Sequence, residues 1–181
     1  MDPASVRAYQ FPDDGVIPNH PVLPLLVLSE ALPASASPDA LARRIEAAYA
    51  ENGWQGSWRW GVYPFAHYHS TAHEVLTCFR GWARLKLGGH SGVQISVSPG
   101  DVVLIPAGVG HQNLESSEDF QVCGAYPPKQ EADLIRADEA DRHAAARQRI
   151  RDVPPPKTDP LFGRHGPLLA AWHRAMGTRS G

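Results

Sequence analysis

The sequence predicts an all-β protein of the jelly-roll barrel type, with peripheral helices near both ends of the chain. Two observations predict this fold class. Between residues 54 and 130, short apolar or alternating segments recur, and glycine or proline separates one from the next. Amphipathic helical spacing occurs before and after that region instead of inside it.

Length and composition suit one globular domain. The chain has 181 residues, 43% of them apolar, which is ordinary for a folded domain. The 17 Lys and Arg residues nearly balance the 19 Asp and Glu residues, so charge favours neither a nucleic acid nor an anionic membrane as partner. No apolar run approaches the roughly 20 residues of a membrane-spanning helix, and the N-terminus lacks the apolar stretch of a secretory signal. We therefore expect a soluble, cytoplasmic protein in which Cys78 and Cys123 are reduced thiols instead of a disulfide.

The first 53 residues are predicted to hold an N-terminal arm, an edge strand and a helix. Residues 1–21 are weakly patterned and suit an arm that lies on the surface or on a partner subunit. The apolar run at 22–32 suits an edge strand, because Pro24 lies inside it and Pro33 follows it, and proline lacks the amide donor that a central strand needs.

Helices are predicted on either side of the barrel core. The first begins after Ser37, a good N-cap, and stops at Gly53, a good C-terminal residue. The second covers 132–151, which is rich in Ala, Arg, Asp and Glu, and it ends before a run of three prolines. Residues 131–181 are thus interpreted as a helix and a tail that pack on the barrel core, 54–130, within a single domain.

Four side chains have the types and spacings of a metal site. His67 and His69 are two residues apart, so on a strand both imidazoles project from one face. Glu74 begins the next predicted strand, and His111 follows directly after a predicted turn at 106–110. Three neutral imidazoles and one carboxylate suit Fe, Mn, Co, Ni, Cu or Zn better than Ca or Mg. The sequence therefore predicts a divalent transition metal on these four residues.

The same residues carry a family resemblance. Residues 61–81 read G-x5-H-x-H-x4-E-x6-G, and residues 100–111 read G-x5-P-x-G-x2-H. These segments resemble the two motifs of the cupin superfamily, and residues 63–76 further resemble the YjlB-like cupin group. The second motif usually has an asparagine four residues after its histidine, and Glu115 stands there in this chain. The resemblance implies a double-stranded β-helix, a metal on the four motif ligands and a homodimer.

Five further residues are candidates for the lining of a substrate pocket. They are Tyr63, Phe65, His73, Cys78 and Asn113. Four of them share strand parity with a predicted ligand and should face the barrel interior. His73 is adjacent to Glu74 and should point to the opposite face, beside the site or at the surface. The alternative for the aromatic residues and Cys78 is plain core packing.

Three functions fit these candidate residues. The first is a metal-dependent enzyme of oxygenase or isomerase type that acts on a small polar organic molecule, with the metal binding substrate oxygens. The alternative is a non-catalytic sensor of a small molecule or of the metal; a metal that only stabilises a dimer is a third hypothesis. An open coordination position beside a pocket favours an enzyme, whereas a closed site favours a structural role. No residue stands out as a general base.

Overall fold

The computed structural model describes residues 5–33 and 35–177, so the ends of the predicted arm and tail lie outside the described residues. The strands are β1 (Ser5–Tyr9), β2 (Leu25–Ser29), β3 (Gln55–Trp60), β4 (His67–Tyr68), β5 (Glu74–Arg80), β6 (Ala83–Leu87), β7 (Val93–Val97), β8 (Val102–Ile105), β9 (His111–Ser116), β10 (Gln121–Tyr126) and β11 (Ile135–Arg136). The helices are α1 (Pro38–Glu51), α2 (His143–Asp152) and α3 (Pro167–Gly177), and a 3₁₀ turn at Ala140–Arg142 precedes α2.

The strands form two antiparallel sheets. The six-stranded sheet has the order β1-β2-β8-β5-β10-β3, and the five-stranded sheet has the order β11-β4-β9-β6-β7. Neighbouring strands are therefore often distant in sequence, as when β8 lies between β2 and β5. Two such sheets with helices outside them form the jelly-roll barrel that the sequence predicted. Strands from outside residues 54–130 also contribute, because β1, β2 and β11 join the sheets.

Side-chain alternation in the larger sheet separates two cores. The core between the sheets includes Leu25, Val27, Leu76, Val103 and Ile105. The core between the larger sheet and helices α1 and α3 includes Leu26, Leu28, Val75, Leu104 and Trp172. Because both faces of these strands are buried, their sequences are continuous apolar runs. Since β5 alternates in the same way, its first residue, Glu74, shares the inward parity of Leu76.

Helix α1 has the ends that its sequence predicted. Ser37 accepts a hydrogen bond from the Ala40 amide at 3.1 Å, and Pro38 is the first helical residue. Gly53 follows the helix with φ of +77°, a left-handed conformation that glycine adopts without strain. On the buried face, the Tyr49 hydroxyl hydrogen-bonds the Thr77 hydroxyl at 2.7 Å, which joins the helix to β5.

The prediction that the first apolar run forms an edge strand is wrong. Strand β2 lies between β1 and β8, and it is β1 that occupies the edge of the larger sheet. Pairing with β1 runs from Leu25 to Ser29. Pro24 precedes the paired segment and Pro33 follows it, so neither proline removes a donor from the ladder.

The second predicted helix is shorter than its composition suggested. Helix α2 begins at His143, and Ile135 and Arg136 form a strand instead, paired with Tyr68 and His67. This pairing with the smaller sheet overrides a helix-favouring composition. The end is as predicted, since the helix stops at Asp152, two residues before the prolines.

The tail packs on the larger sheet through helix α3. Its Leu168, Leu169 and Trp172 side chains are buried in the core that α1 shares. The Trp172 indole also donates a hydrogen bond to the Pro24 carbonyl at 2.9 Å, immediately before β2. Among the described residues, no helix combines the length and the apolar character that crossing a bilayer requires.

Both cysteines are buried free thiols. Cys78 belongs to the core between the sheets and Cys123 to the core beneath the helices, so the two lie on opposite faces of the larger sheet. Burial raises the pKa of each thiol to about 12. They are therefore protonated, apolar filler at neutral pH.

Replacing Trp172 tests the docking of α3. Trp172 is 1% exposed, and Trp172→Ala should lower the free energy of unfolding by about 3–5 kcal/mol, as large aromatic truncations in cores do. The neighbouring exposed residue supplies the control, His173→Ala, which should change stability by less than about 0.5 kcal/mol. Urea denaturation of the three proteins measures both effects. A loss below about 1 kcal/mol for Trp172→Ala would show that α3 does not contribute to the core.

Candidate metal centre

Three strands and one turn bring the predicted ligands together, with Glu74 as the first residue of β5. His67 of β4 is the direct strand partner of His111 in β9, and His69 follows β4 directly. The turn before β9 contacts His69, because the Gly108 amide donates to the His69 carbonyl at 2.7 Å. Gly108 has φ of +87°, and a Cβ there would lie 2.9 Å from the Asn19 carbonyl oxygen. Only glycine therefore lets this turn pack so closely against the Asn19 backbone.

The three imidazoles converge on one point. The ligand nitrogens of His67, His69 and His111 all lie within 4.8 Å of one another. Glu74 reaches two of them, since its Oε2 lies 3.3 Å from His69 Nε2 and 3.3 Å from His111 Nε2. The structure thus places all four predicted residues at a common centre, with the three histidines as its core.

Backbone carbonyls fix the orientation of each ring. His67 Nδ1 lies 3.0 Å from the Phe65 carbonyl, His111 Nδ1 lies 3.1 Å from the Val109 carbonyl, and His69 Nδ1 hydrogen-bonds the Asp133 carbonyl. A carbonyl can only accept, so each Nδ1 carries the proton. Each neutral ring therefore presents a lone pair on Nε2, which is the arrangement that metal-binding histidines adopt.

Glu74 is the residue that most clearly requires a cation. The residue is 3% exposed, and its Oε2 has no hydrogen-bond partner among the described residues. Burial would raise the pKa of Glu74, but the imidazoles of His69 and His111 hold it well below its usual range. A carboxylate facing two imidazole lone pairs is unfavourable unless a proton or a metal ion lies between them.

The residues present fit a divalent transition metal. Three imidazole nitrogens and one carboxylate oxygen are a borderline-soft donor set. Burial and then the nearby His111 lower the pKa of His67 to about 2, so His67 remains a neutral ligand at physiological pH. His69 can carry the proton that balances Glu74 when no metal is bound, since Glu74 raises the pKa of His69 against the effect of burial.

An open cavity of about 390 Å³ leads to this centre. Its lining combines the four predicted ligands with aromatic and apolar residues. The lining residues are Trp58, Arg59, Trp60, Gly61, Val62, Tyr63, His67, His69, Glu74, Leu76, His111 and Tyr126. One side of the centre is therefore accessible to a small molecule, unlike the closed coordination of structural metal sites.

Sequence comparison establishes the family. The chain is 44% identical over 166 residues to uncharacterized protein YjlB of Bacillus subtilis strain 168, a match that covers 92% of this chain and 96% of that protein. This chain is a YjlB-like cupin. No protein-family model matches the sequence.

Solved structures with detectable similarity include two proteins of comparable size. Acireductone dioxygenase from Bacillus anthracis is 17% identical with a TM-score of 0.38, over 72% of this chain and 82% of that one. The DMSP lyase DddQ from Ruegeria pomeroyi DSS-3 is 19% identical with a TM-score of 0.39, over 74% and 80%. Procruciferin, an 11S globulin from Brassica napus, is 22% identical with a TM-score of 0.37 over 44% of this chain, which spans only 21% of the globulin. Similarities this low carry no argument about activity.

Of the five residues expected in the pocket of this cupin, Tyr63 lines the cavity. Phe65 lies behind it, stacked on Tyr63 with ring centroids 4.7 Å apart and covered by the Arg136 guanidinium. The Asn113 side-chain amide donates to the Ser116 hydroxyl at 3.0 Å, while the Asn113 backbone N–H donates to the Tyr63 carbonyl at 2.9 Å. Phe65 and Asn113 therefore support the aromatic wall from outside the cavity.

His73 and Cys78 do not line the cavity. His73 points away from Glu74, as adjacent strand residues do, and lies buried with its ring 4.7 Å from the Trp172 ring. Its Nδ1 accepts the Ala107 amide at 2.9 Å, which helps to hold the turn before β9. Cys78 faces the interior below Leu76, and the intervening leucine separates it from the centre.

Three aromatic residues of the cavity lining were not predicted from the sequence: Trp58, Trp60 and Tyr126. Trp58 and Trp60 line the cavity from β3, and their i, i+2 spacing was the available signal for a shared face. Tyr126 comes from the end of β10, where its hydroxyl accepts a hydrogen bond from the Trp58 indole at 3.1 Å. Nothing in its local sequence predicts that position, because it depends on the pairing of β10 with β3.

Sequence reasoning also missed Asp133, whose side chain clamps the segment that carries His69. The Asp133 carboxylate accepts hydrogen bonds from the Ser70 amide, at 2.6 Å, and from the Ser70 hydroxyl. Arg149 of α2 donates to the same hydroxyl at 2.9 Å. With the Asp133 carbonyl on His69 Nδ1, one residue orients a ligand ring and holds its backbone.

Removing this clamp should weaken metal binding. Asp133→Ala keeps the carbonyl but frees the loop, and we expect the metal affinity to fall by about 10–100-fold, as for other supports of ligand histidines. The control is Asp138→Ala, whose carboxylate is exposed and, among the described residues, pairs with Arg136. Competition with a chromophoric chelator measures both affinities. Equal affinity in Asp133→Ala and wild type would contradict the role of the clamp.

Metal affinity should also depend on pH through His69. Its pKa is raised above 6.5 by Glu74, and the added proton must sit on Nε2, the atom that the metal needs. As the pH falls through that raised pKa, protonation competes with the metal, so affinity should drop by up to about tenfold per pH unit. Chelator competition between pH 6 and pH 9 tests this. An affinity that stays constant across that range would exclude the competition.

Proposed function

We propose that this cupin binds a divalent transition metal on His67, His69, Glu74 and His111 and uses it as an enzyme of oxygenase or isomerase type. The substrate is a small polar organic molecule that enters the cavity. One observation carries the proposal: three imidazole lone pairs and an unpartnered carboxylate oxygen converge at the floor of an open cavity.

The net charge of the metal-loaded centre favours a substrate that binds through negatively charged oxygen atoms. Three neutral imidazoles, one carboxylate and a divalent ion leave a net charge of about +1 at the floor of the cavity, which favours a carboxylate, enolate or similar group. When bound, the metal supplies Lewis acidity toward substrate oxygens or, as iron or manganese, a centre for O₂ chemistry. The aromatic walls exclude water around the bound group and so strengthen its electrostatic interactions.

Tyr126 is the residue best placed to hold a proton in the cavity. Its hydroxyl oxygen accepts from the Trp58 indole, so its own proton can go to the Glu74 carboxylate or to a bound ligand. Burial and then the charge of Glu74 raise the pKa of Tyr126 well above its usual range. Tyr126 therefore remains protonated at neutral pH and acts as a hydrogen-bond donor in preference to a base.

Elemental analysis of the natively purified protein tests the metal site. Wild type should retain close to one equivalent of a transition metal, and His69→Ala should lose most of it. The matched control is His90→Ala, because His90 is exposed and lies outside the cavity lining. Equal metal content in wild type and His69→Ala would contradict the site.

A turnover screen separates the enzyme from the sensor. Metal-loaded protein is incubated with small hydroxy- and keto-acids, and O₂ consumption and product formation are followed by electrode and NMR. Metal-dependent turnover that His69→Ala abolishes supports the enzyme. Saturable binding without any chemical change would instead assign the cavity to the non-catalytic alternative.

A further inference from the structure

Strand β3 presents a flat aromatic surface to the cavity. Trp58 and Trp60 alternate with Arg59, so both indoles project from one face of the strand. The Trp58 ring lies against Gly124 of β10, where a Cβ would come within 2.1 Å of the indole. The absence of a side chain at Gly124 therefore lets the Trp58 ring lie flat on the sheet, and the hydrogen bond to Tyr126 fixes it there.

A second aromatic group, centred on Tyr63, also contributes to the cavity wall. Tyr63 stacks on Phe65 and meets the His67 ring edge-on, with centroids 5.3 Å apart. At the mouth, Trp60 is 69% exposed and Tyr63 is 46% exposed. Both are large rings left open to water in the cavity that leads to the converging imidazoles, and exposed apolar rings at a cavity mouth are typical of ligand-binding sites.

Beside the aromatic walls, no described lining residue is a Lys or Arg without an acidic partner. Arg59 is the one Lys or Arg among the lining residues that the structure describes. Its guanidinium is held by both carboxylate oxygens of Glu46, at 2.7 and 2.6 Å. Above the metal-binding floor, the cavity therefore offers ring faces and offers no free cation for a second acidic group.

We propose that the ligand of this cavity is an aromatic acid: an oxygen-chelating head such as a 2-oxo-acid, joined directly to a flat ring that packs between Trp58, Trp60 and Tyr63. This inference rests on the proposed function, because the head binds the metal. The ring replaces water on faces that the free protein exposes, and aromatic pairs of this kind add affinity beyond the area they bury.

A matched pair of probes tests the inference. Phenylglyoxylate and pyruvate share the same chelating head and differ in a phenyl or methyl body. Titration calorimetry on protein loaded with one equivalent of metal should give about tenfold tighter binding for phenylglyoxylate. Trp60→Ala should bring the ratio close to one. Trp82→Ala is the control, because Trp82 is 45% exposed but lies outside the cavity lining, and it should keep the wild-type ratio.

The outcomes distinguish this inference from the proposed function. Equal affinities for the two probes in wild type, with binding lost in His69→Ala, would leave the metal function standing and overturn the aromatic ligand. No binding of either probe to metal-loaded protein would overturn both. Analytical ultracentrifugation adds a further arm: a dimer that Trp60→Ala dissociates would mean that a second copy of the chain covers Trp60, and the inference would be overturned.

Discussion

The centre of this cupin depends on one buried carboxylate oxygen, Glu74 Oε2, which has no hydrogen-bond partner among the described residues. Glu74 lies among imidazoles whose own protons are already donated to backbone carbonyls. Every nitrogen that faces Glu74 is therefore an acceptor in the neutral state, which is unfavourable for a buried carboxylate oxygen. Only a proton or a metal ion relieves this arrangement, so the same contacts that orient the rings also create the demand for a cation.

The fold supplies the rigidity that such an arrangement requires. Pairing of β4 with β9 sets His67 opposite His111. The hydrogen bond from the Gly108 amide to the His69 carbonyl fixes the turn before β9 relative to His69. The chain after the barrel core contributes as well, since Asp133 orients the His69 ring. Ligand geometry thus depends on hydrogen bonds from three separated regions of the sequence, which explains why a small metal centre needs most of a domain around it.

Local sequence predicted the parts of the structure that periodicity and short motifs determine. The ends of α1, the strand parity of His67 and Glu74, and the fold class all follow from spacing over a few residues. Prediction failed where a distant segment decides the outcome. Strand β2 is internal because β1 covers it, and Tyr126 reaches the cavity because β10 pairs with β3. A single sequence shows residue types at such positions but does not show which segments will pair.

The core beneath the helices stabilises the fold, and the core between the sheets adjoins the metal centre. Helices α1 and α3 cover the outer face of the larger sheet, and that core contains Trp172, Tyr49 and their neighbours without any residue of the centre. Because the helices pack on the outer face of the larger sheet, its inner face can carry polar ligands and exposed aromatic rings at the open end of the barrel. A buried carboxylate and solvent-exposed indoles both cost stability. The core that the larger sheet shares with α1 and α3 offsets that cost.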